Sequence, residues 1–582
     1  MILQALYEYY QRKDNVPPLG YEYKEIPFLI VLNKNGEFAG LEDTRHGEKK
    51  RGKTYLVHKT KGRSGSKASS VTNVLWDHYG FVLTHPKDST DKAKADAIKQ
   101  HETFVSKVKE ISDKFPNNES FKTVLRFLSN EEEKKKAFEH PYWADCAKKP
   151  GCNMSFLISG ETKIIAEDDD LKSLVNIEDV EVGNTTKEQV CLITGEKGKI
   201  AELHTSTSIN EVGGKSGGKL VSFQKHQGYD SYNKQQGGNA PISVEAESAY
   251  TTALNTLIKS PKNKVRVGDT LALFWASRDN ELEEKLPFVF APPTPPKDDP
   301  DKNVREVKSL LESHYTGKLY MNGDTDFYLL GLVTPNPARI SVRFWKKGTV
   351  REFAENIVQH FKDLEIVLSK NDKEYLTIFK ILTHISLEFK SENAPPNISG
   401  ALVQSVINGA LYPATLQQQC IRRIKAEQHV NRVRAAILKA YLNRKDRIYN
   451  TNQNQLTMAL DKENKNQGYL CGRLFAVLEK IQQEAQPGLN ATIKDRFYGA
   501  ASSTPVTVFG RLLNLSNHHL VKLNPGRKTN LEKLLQEIMA DISADGLPSH
   551  LTLDDQSRFA VGYYHQRQDF YTKHEKETKS IN

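Results

Sequence analysis

Two proline clusters divide this chain more sharply than any other feature of its sequence. The first runs from Pro292 to Pro300, and the second is the pair Pro395 and Pro396. Proline fixes its own φ angle and disfavours helix in the residue before it, so each cluster predicts a linker or an extended loop. A chain of 582 residues is long enough for several domains. We predict an α/β domain over residues 1–290, a β-containing middle region over 291–395 and a helical bundle over 396–582.

The periodicity of apolar residues changes along the chain and predicts the fold class. Phe28–Leu32 and Tyr55–Val57 are short apolar runs typical of strands, whereas Asp91–Lys114 has apolar residues at helical spacing. Arg339–Trp345 alternates apolar and polar residues as a strand does. After Pro396 the spacing is helical, most clearly over 415–449, 469–483 and 530–542. The predicted class is α+β and multi-domain, with a mixed α/β N-terminal region followed by an α-helical bundle.

Composition excludes several classes of protein. Hydrophobic residues make up 38% of the chain and no long apolar run occurs, so we expect no membrane-spanning helix and, without a signal segment, a cytoplasmic location. The five cysteines are scattered and form no C-x-x-C pair, which indicates neither a zinc site nor a redox motif. No nucleophile or metalloprotease motif is present. We therefore expect no catalytic centre, no metal and no cofactor.

One segment matches a nucleotide-binding pattern. Gly47–Thr54 fits G-x-x-x-x-G-K-[ST], the P-loop. A P-loop requires a buried strand before the match and a helix after it, so that backbone N–H groups can hold phosphates. Here Tyr55–His58 follows the match and is typical of a strand. We interpret the segment as a basic loop, and the alternative function is a nuclease or nucleotide hydrolase that uses this match or the acidic run Asp168–Asp170.

Cations are concentrated in separate segments, although the net charge is only +10. Residues 49–67 contain eight basic residues and no acidic one, and residues 422–447 contain nine basic residues against Glu427 and Asp446. An acidic block over 161–181 lies between them. Such clustering favours a polyanionic partner more than the net charge does.

The first two candidate binding segments lie in the N-terminal half. A basic loop interleaves cations with Gly and Ser and can place donors near phosphates; its cations are Lys59, Lys61, Arg63 and Lys67. A glycine-rich segment over 213–239 lets the backbone approach a groove closely. It carries the phosphate-binding candidates Lys215 and Lys219 and the base-reading candidates Gln235, Gln236 and Asn239. A flexible surface loop and a disordered linker are the respective alternatives.

The third candidate segment is the predicted helix over 415–449. Arg423, Arg434 and Lys445 recur every eleven residues, and Lys425, Arg432 and Lys439 recur every seven. On one continuous helix these spacings give two rows of cations, which suit an extended phosphate backbone. A solvated basic face is the alternative.

Distinctive short motifs are distributed along nearly the whole chain. The most distinctive block begins with Cys191–Glu196 and Ile200–His204. Further motifs are Gln236–Pro241, Ala249–Leu254, Ala338–Trp345, Gly468–Arg473 and Gly562–Arg567. With these motifs the chain resembles the large subunit of the subtype I-C CRISPR Cascade over essentially its whole length. The resemblance implies a ribonucleoprotein in which crRNA pairs with the target strand, while the protein checks a short flanking motif, the PAM, in duplex DNA.

The resemblance also implies which partners the chain has and which functions the large subunit performs. The large subunit of this family is non-catalytic, opens the first base pairs, contacts the guide 5′ end, holds the displaced single strand and helps recruit a helicase–nuclease. It assembles with backbone and guide-processing subunits and with a small helical subunit that can arise by internal translation. Here that product would start at about Met458 and contain about 125 residues. Asn73, just before Leu75–Asp77, would approach the PAM duplex together with the glycine-rich segment. The remaining alternative is a scaffold that binds only proteins.

Overall fold

The computed structural model describes most of the chain, in ranges separated by short gaps. These are residues 1–13, 16–47, 50–59, 65–174, 188–223, 234, 236–299, 301–316, 323–336, 339–368, 372, 375–395, 397–451 and 455–572, with the backbone alone at 65–67, 215–216 and 314–315. The chain divides into two units. The first contains residues 1–208 and 217–256, and the second contains residues 209–216 and 257–582.

Short strands and helices alternate in the first part of the chain. In order they are α1 (Ile2–Arg12), β1 (Tyr21–Glu25), β2 (Phe28–Leu32), β3 (Phe38–Asp43), β4 (Thr54–His58), β5 (Trp76–His78), α2 (Tyr79–Leu83), α3 (Asp91–Lys114), α4 (Glu119–Leu128), α5 (Glu131–Glu139), α6 (Trp143–Ala147) and β6 (Asn153–Ile158). They are followed by β7 (Glu188–Val190), β8 (Lys197–Lys199), β9 (Thr207–Ile209), β10 (Gly214–Gly218) and α7 (Val244–Lys259).

A four-stranded sheet with the order β3-β2-β6-β5 organises the first unit. Strands β2 and β6 are parallel, and the two outer pairs are antiparallel. Strands β1 and β4 form a separate antiparallel ladder. Phe28 and Phe156 from the sheet are buried in one core with Phe104 and Phe127 from the helices. The strands predicted at 28–32 and 55–57 and the helix predicted at 91–114 are confirmed.

The second unit starts with a sheet and continues with helices. Its elements are β11 (Lys264–Val267), β12 (Thr270–Ala276), α8 (Leu282–Phe290), α9 (Lys302–Tyr315), β13 (Asp326–Asn336), β14 (Arg339–Thr349), α10 (Val350–Leu364), α11 (Ile378–Ile385), α12 (Ile398–Asn408), α13 (Ala414–Glu427), α14 (Arg432–Tyr449), α15 (Gln467–Ala485), α16 (Ile493–Ala501), α17 (Phe509–Leu520), α18 (Pro525–Ala540) and α19 (Leu553–Asp569). The four strands are antiparallel in the order β11-β12-β13-β14.

One apolar core joins the sheet and the helices of the second unit. It extends from Val265 in β11 to Tyr564 in α19, and Phe327 on β13 packs against Phe353 on α10 with ring centroids 5.1 Å apart. The predicted α+β class with a C-terminal helical region is confirmed. The units separate near residue 256, whereas the boundaries predicted at 290 and 395 fall inside the second unit, where sheet and helices share this core.

The helix predicted over 415–449 is in fact two helices. Helix α13 ends at Glu427, and Gln428 has a left-handed φ of 48°. Asn431 then caps α14, its side chain accepting the Arg434 N–H at 3.0 Å. A left-handed residue followed by an N-cap interrupts the helical hydrogen bonds, although the apolar spacing continues across the break.

Candidate nucleic-acid interface

A buried carboxylate fixes the turn that precedes β5. Asp77 Oδ2 accepts the Asn73 N–H at 3.0 Å and the Thr72 hydroxyl at 3.2 Å, and its Oδ1 accepts the His78 N–H at 2.8 Å. Strand β5 pairs with β6, which places Asp77 opposite Met154 in the sheet. Leu75, between Asn73 and Asp77, has a φ of 57°, an uncommon conformation for a branched side chain. Hydrogen bonds to the buried Asp77 carboxylate therefore define the conformation of this turn.

Asn73, the predicted base-reading residue, lies below the surface of this turn. It is 5% exposed, and its Oδ1 has no hydrogen-bond partner in the part of the chain that the structure describes. A buried amide oxygen without a partner costs about 1–3 kcal/mol, and folded proteins contain few such atoms. A donor that hydrogen-bonds to this oxygen must enter the turn, or the turn must open to expose the oxygen.

Trp76 and the β1–β4 ladder place cations close to this turn. The Trp76 indole is buried, its Nε1 also lacks a hydrogen-bond partner among the described residues, and Lys24 Nζ on β1 lies 5.0 Å from a ring centroid of Trp76. Lys24 is opposite Tyr55 in the ladder, and Lys53 Nζ lies 5.2 Å from the Tyr55 ring. These distances are those of cation–π contacts. The strand that follows Asn73 therefore has positive charge beside it.

The basic loop is anchored at both of its ends. At its start the Lys59 N–H donates to the Gly20 carbonyl at 2.7 Å, and near its end the Thr103 hydroxyl donates to the Ser69 carbonyl at 3.0 Å. The Lys59 ammonium is buried and has no hydrogen-bond partner within the described ranges. Lys61, Arg63 and the Lys67 side chain lie outside the described residues. The structure thus fixes where the loop begins and ends, and its middle cations stay a prediction.

In the glycine-rich segment one of the predicted amides, that of Asn239, makes hydrogen bonds within its own turn. Asn239 Nδ2 donates to the carbonyls of Gln236 at 3.0 Å and of Lys234 at 3.4 Å, so this amide closes its own turn. Gln236 has a φ of 43° at the start of the same turn. Gln235 and the Lys215 side chain lie outside the described residues. The turn packs tightly, because a Cβ on Gly237 would lie 2.0 Å from the Ala201 carbonyl oxygen.

His204 is a further candidate binding residue, and it was not predicted from the sequence. Its imidazole is buried, its Nδ1 lies 2.5 Å from the Tyr250 hydroxyl, and its Nε2 has no hydrogen-bond partner among the described residues. It lines a cavity of about 10 Å³, enough for one water molecule, together with Lys219 and Phe223. Burial lowers the pKa of His204, so the ring is neutral at pH 7. The signal available in the sequence was its place at the end of the Ile200–His204 block.

Three of the six cations predicted to form rows on the C-terminal helices are buried. Arg434 donates to the carbonyls of His384 at 3.0 Å and His429 at 2.9 Å and pairs with Glu427. Lys439 Nζ donates to the Asp363 carbonyl at 2.9 Å, and Arg432 is also buried. These groups hold α14 inside the unit.

The other three cations are bound by neighbouring side chains. Arg423 lies 3.6 Å from a Glu427 oxygen, and Lys445 lies 2.6 Å from Asp554. Lys425 donates to the Ser503 hydroxyl at 2.7 Å and to Gln556 Oε1 at 2.8 Å. Because the helix breaks at Gln428, the continuous rows do not form, and the six cations are not gathered on one exposed face.

The segment that matches the P-loop pattern leads directly into a strand. The backbone of His46 donates to Arg51 at 2.9 Å and accepts from it at 3.2 Å, and Thr54 begins strand β4. A P-loop has a helix at that position, so this segment is not one. In the acidic run, Asn118 Nδ2 donates to Asp168 at 3.1 Å and to Asp170 at 2.9 Å.

The residues that the structure describes include neither a metal-binding cluster nor a helix suited to span a membrane. No group of three or more His, Cys, Asp or Glu side chains comes together there in a way that could hold a metal ion. Over the same ranges, no helix combines the length and the apolar character needed to cross a bilayer.

A family model matches nearly the whole chain. The model of a family described as CRISPR-associated protein (Cas_Csd1) matches residues 6–571. The match therefore covers all the candidate residues described above. No curated protein matches the chain.

Proposed function

Because this chain belongs to the CRISPR-associated Csd1 family, the large subunits of type I-C Cascade, we propose that it recognises the PAM in double-stranded target DNA. A Cascade subunit works in association with other Cas subunits and crRNA. In RNA-guided recognition, base pairing reads the target sequence and protein reads only a short duplex motif beside it. The proposed subunit is non-catalytic and, after PAM binding, promotes R-loop formation by the guide.

The unpaired Oδ1 of Asn73 is the observation that carries this proposal. Folded proteins pair nearly all their buried polar atoms, so each exception requires an explanation, and a ligand that supplies the missing partner is one. An amide oxygen accepts from an exocyclic amino group, such as guanine N2 in the minor groove or adenine N6 in the major groove. We assign that contact to Asn73. The Asp77 carboxylate holds the turn in place by accepting the Asn73 N–H at 3.0 Å.

Phosphate contacts would fix the position of the duplex without reading its sequence. Lys24 on the ladder lies beside Trp76, Lys53 just before β4 lies beside Tyr55, and Lys59 begins the basic loop that contains Lys61, Arg63 and Lys67. Each phosphate that such cations neutralise releases counterions, so binding weakens as salt rises. Lys215 and Lys219 in the glycine-rich segment are assigned the same role.

The six predicted cations are buried or bound by neighbouring groups within the second unit. Contacts to the displaced strand would therefore come from other cations. Arg422, Arg496 and Arg511 are exposed on α13, α16 and α17, and no ion pair involves them within the described ranges. An exposed guanidinium can bind a phosphate and stack on a base. We propose these three as strand contacts, with recruitment of the helicase–nuclease following R-loop formation.

The test is duplex binding by the guide-loaded complex, with targets that differ only in the base pairs flanking the protospacer. The complex with the wild-type subunit is expected to discriminate between flanks, and the complex without the subunit is not. Asn73→Ala is expected to remove the discrimination, while Asn153→Ala, which alters an amide on neighbouring strand β6, keeps it. Discrimination that persists without the subunit would refute the PAM role and leave a scaffold that binds only proteins.

A further inference from the structure

A cavity of about 370 Å³ lies in the first unit beside the backbone bridge between His46 and Arg51. Its lining residues carry opposite charges in unequal number. The cations are Arg45, Lys50, Arg51 and Lys149, and the acids are Glu25 and Asp145. Pro27, Phe28, Gly52 and Cys152 complete the lining.

Part of this charge is neutralised inside the protein. Arg45 pairs with Asp43 through two hydrogen bonds, at 2.8 and 2.7 Å, and its Nη2 lies 2.9 Å from Asp145. Lys148, outside the lining, pairs with the same Asp145 at 2.8 Å. Arg45 also lies 4.7 Å over the Phe28 ring. These groups form a balanced cluster, and both carboxylates hold the pKa of Arg45 above its usual value.

The remaining charges of the lining are unbalanced. Lys50, Arg51 and Lys149 are exposed, and none of them makes an ion pair with another described residue. Glu25 is the single remaining acid of the lining. The cavity therefore carries an excess of positive charge at its open side, a field that concentrates anions of small size.

The backbone beside these cations is defined by hydrogen bonds and close packing. His46 and Arg51 form an antiparallel β-bridge, and Lys50 has a left-handed φ of 45°. Gly52 follows without a side chain, because a Cβ there would lie 2.7 Å from Pro27. The Lys149 carbonyl accepts the Cys152 N–H at 3.0 Å.

We infer that this cavity binds one unpaired nucleotide, with its phosphate at Lys50, Arg51 and Lys149. Its volume lies in the range of small-ligand sites, roughly 300–1,000 Å³. Glu25 provides an acceptor for an exocyclic amino group of the base, as carboxylates do for cytosine N4. The ligand class is a nucleoside 5′-phosphate, either free or as an unpaired residue of an RNA or DNA strand. None of the residues assigned to the PAM duplex lines this cavity, and the inference does not depend on that assignment.

The test uses the full chain without guide and measures binding by calorimetry. The probes are inorganic phosphate, CMP, UMP, and 5′-phosphorylated RNA and DNA trinucleotides. The variant K50A/R51A is expected to weaken nucleotide binding at least about tenfold and to flatten its dependence on salt. The matched control is K92A/K99A, which removes the same charge from exposed positions on α3 outside the cavity. It is expected to stay within about twofold of the wild type.

Other results would overturn the site itself or the roles assigned to the base and to Glu25. Equal losses in both double variants, or no loss in K50A/R51A, overturn the site. Inorganic phosphate that binds as tightly as CMP overturns the role of the base. Glu25→Gln is expected to abolish a preference for CMP over UMP, and an unchanged preference overturns the assignment of Glu25. The RNA and DNA probes distinguish the source of the nucleotide.

The stability and PAM assays keep this inference separate from the proposed function. Lys50 and Arg51 are exposed, so K50A/R51A is expected to keep the wild-type unfolding temperature. The guide-loaded complex with this variant is expected to discriminate between flanks as before. Loss of nucleotide binding with intact PAM discrimination supports the inference, whereas loss of PAM discrimination alone would move these cations to the duplex contact.

Discussion

Arg444 and Asp363 form an ion pair in the interior of the second unit. Arg444 Nε lies 2.8 Å from Asp363 Oδ2, and the two side chains are 0% and 2% exposed. Arg447 donates to both oxygens of the same carboxylate, at 2.8 and 2.9 Å. Arg444 also lies 4.0 Å over the Tyr412 ring. One carboxylate on α10 thus compensates two guanidinium groups on α14.

Replacing that carboxylate is expected to destabilise the second unit strongly. Asp363→Asn leaves Arg444 buried without its counter-charge, which typically costs about 3–5 kcal/mol. The measurement is the unfolding of the full chain in denaturant, with a probe in the second unit. Lys135→Ala is the control, because Lys135 makes an exposed pair with Glu132 at 2.9 Å, and exposed pairs contribute little. Equal unfolding midpoints for Asp363→Asn and the wild type would contradict a structural role for the pair.

The same substitution has a predictable dependence on pH. Burial raises the pKa of Asp363, but the hydrogen bond from Arg447 and the charge of Arg444 together lower it below its usual 3.8. A folded-state pKa below the unfolded value stabilises the protein above the unfolded value, and this stabilisation is lost as pH falls through the folded value. The difference in stability between wild type and Asp363→Asn is therefore expected at pH 7 and expected to vanish under strongly acidic conditions. A difference that stays constant down to pH 2 would rule out the charge as its cause.

His360 on the same helix is expected to make stability depend on pH over a higher range. Burial and the charge of Arg444 lower the pKa of His360 to about 3, from 6.5. Between these values the unfolded chain binds a proton that the folded chain does not, so stability falls as pH falls from 6.5 toward 3. The expected slope is about 1.4 kcal/mol per pH unit for this one group.

His360→Gln tests this slope directly. Glutamine can keep a hydrogen bond to the Tyr412 hydroxyl, which lies 2.6 Å from His360 Nδ1, but it does not titrate. The variant is expected to unfold with a shallower dependence on pH between pH 4 and 6. His518→Gln, at an exposed position on α17, is expected to keep the wild-type slope. The same slope in both variants would assign the pH dependence to other groups, such as the buried His565.

The sequence predicted the local structure well where the signals that define an element lie within that element. Helix α3 follows the predicted bounds 91–114, because Thr90 caps it by accepting the Ala93 N–H at 3.2 Å and the apolar spacing fills one face. The predicted helix over 415–449 failed because apolar spacing continues through the break, and only the conformation of Gln428 reveals it. Periodicity reports which residues are buried and does not report where the hydrogen bonds stop.

The candidate site was harder to predict because charge alone does not reveal a partner distant in sequence. The cation row through Arg434 looked like a phosphate-binding face, yet this residue is buried on the His384 carbonyl, 50 positions away. The Lys445 partner, Asp554, is 109 positions away. Asn73 was identified from its place before Leu75–Asp77, but its burial and its unpaired oxygen follow from the fold of the sheet.

Asn73 and Asp77 are expected to respond in opposite ways when replaced. Asn73→Ala removes an unpaired buried oxygen, so the free energy of unfolding is expected to stay constant or to rise, while PAM discrimination is lost. Asp77→Ala removes the acceptor of three hydrogen bonds and is expected to cost about 1–3 kcal/mol for each donor left unpaired. Unfolding curves and flank-dependent DNA binding measure the two effects. A large destabilisation by Asn73→Ala would show that the amide is structural.

Two glycines in the second unit are expected to give stability changes of opposite sign when replaced by alanine. Helices α15 and α19 touch backbone to backbone, because a Cβ on Gly472 would lie 2.1 Å from the Phe559 carbonyl oxygen. Gly472→Ala therefore forces the helices apart and is expected to destabilise the unit by about 1–3 kcal/mol or more. Gly499 lies on α16 with no atom within 4 Å of an added Cβ, so Gly499→Ala is expected to stabilise by up to about 1 kcal/mol through helix propensity. Denaturant unfolding of both variants measures the difference, and a neutral Gly472→Ala would contradict the close approach of α15 and α19.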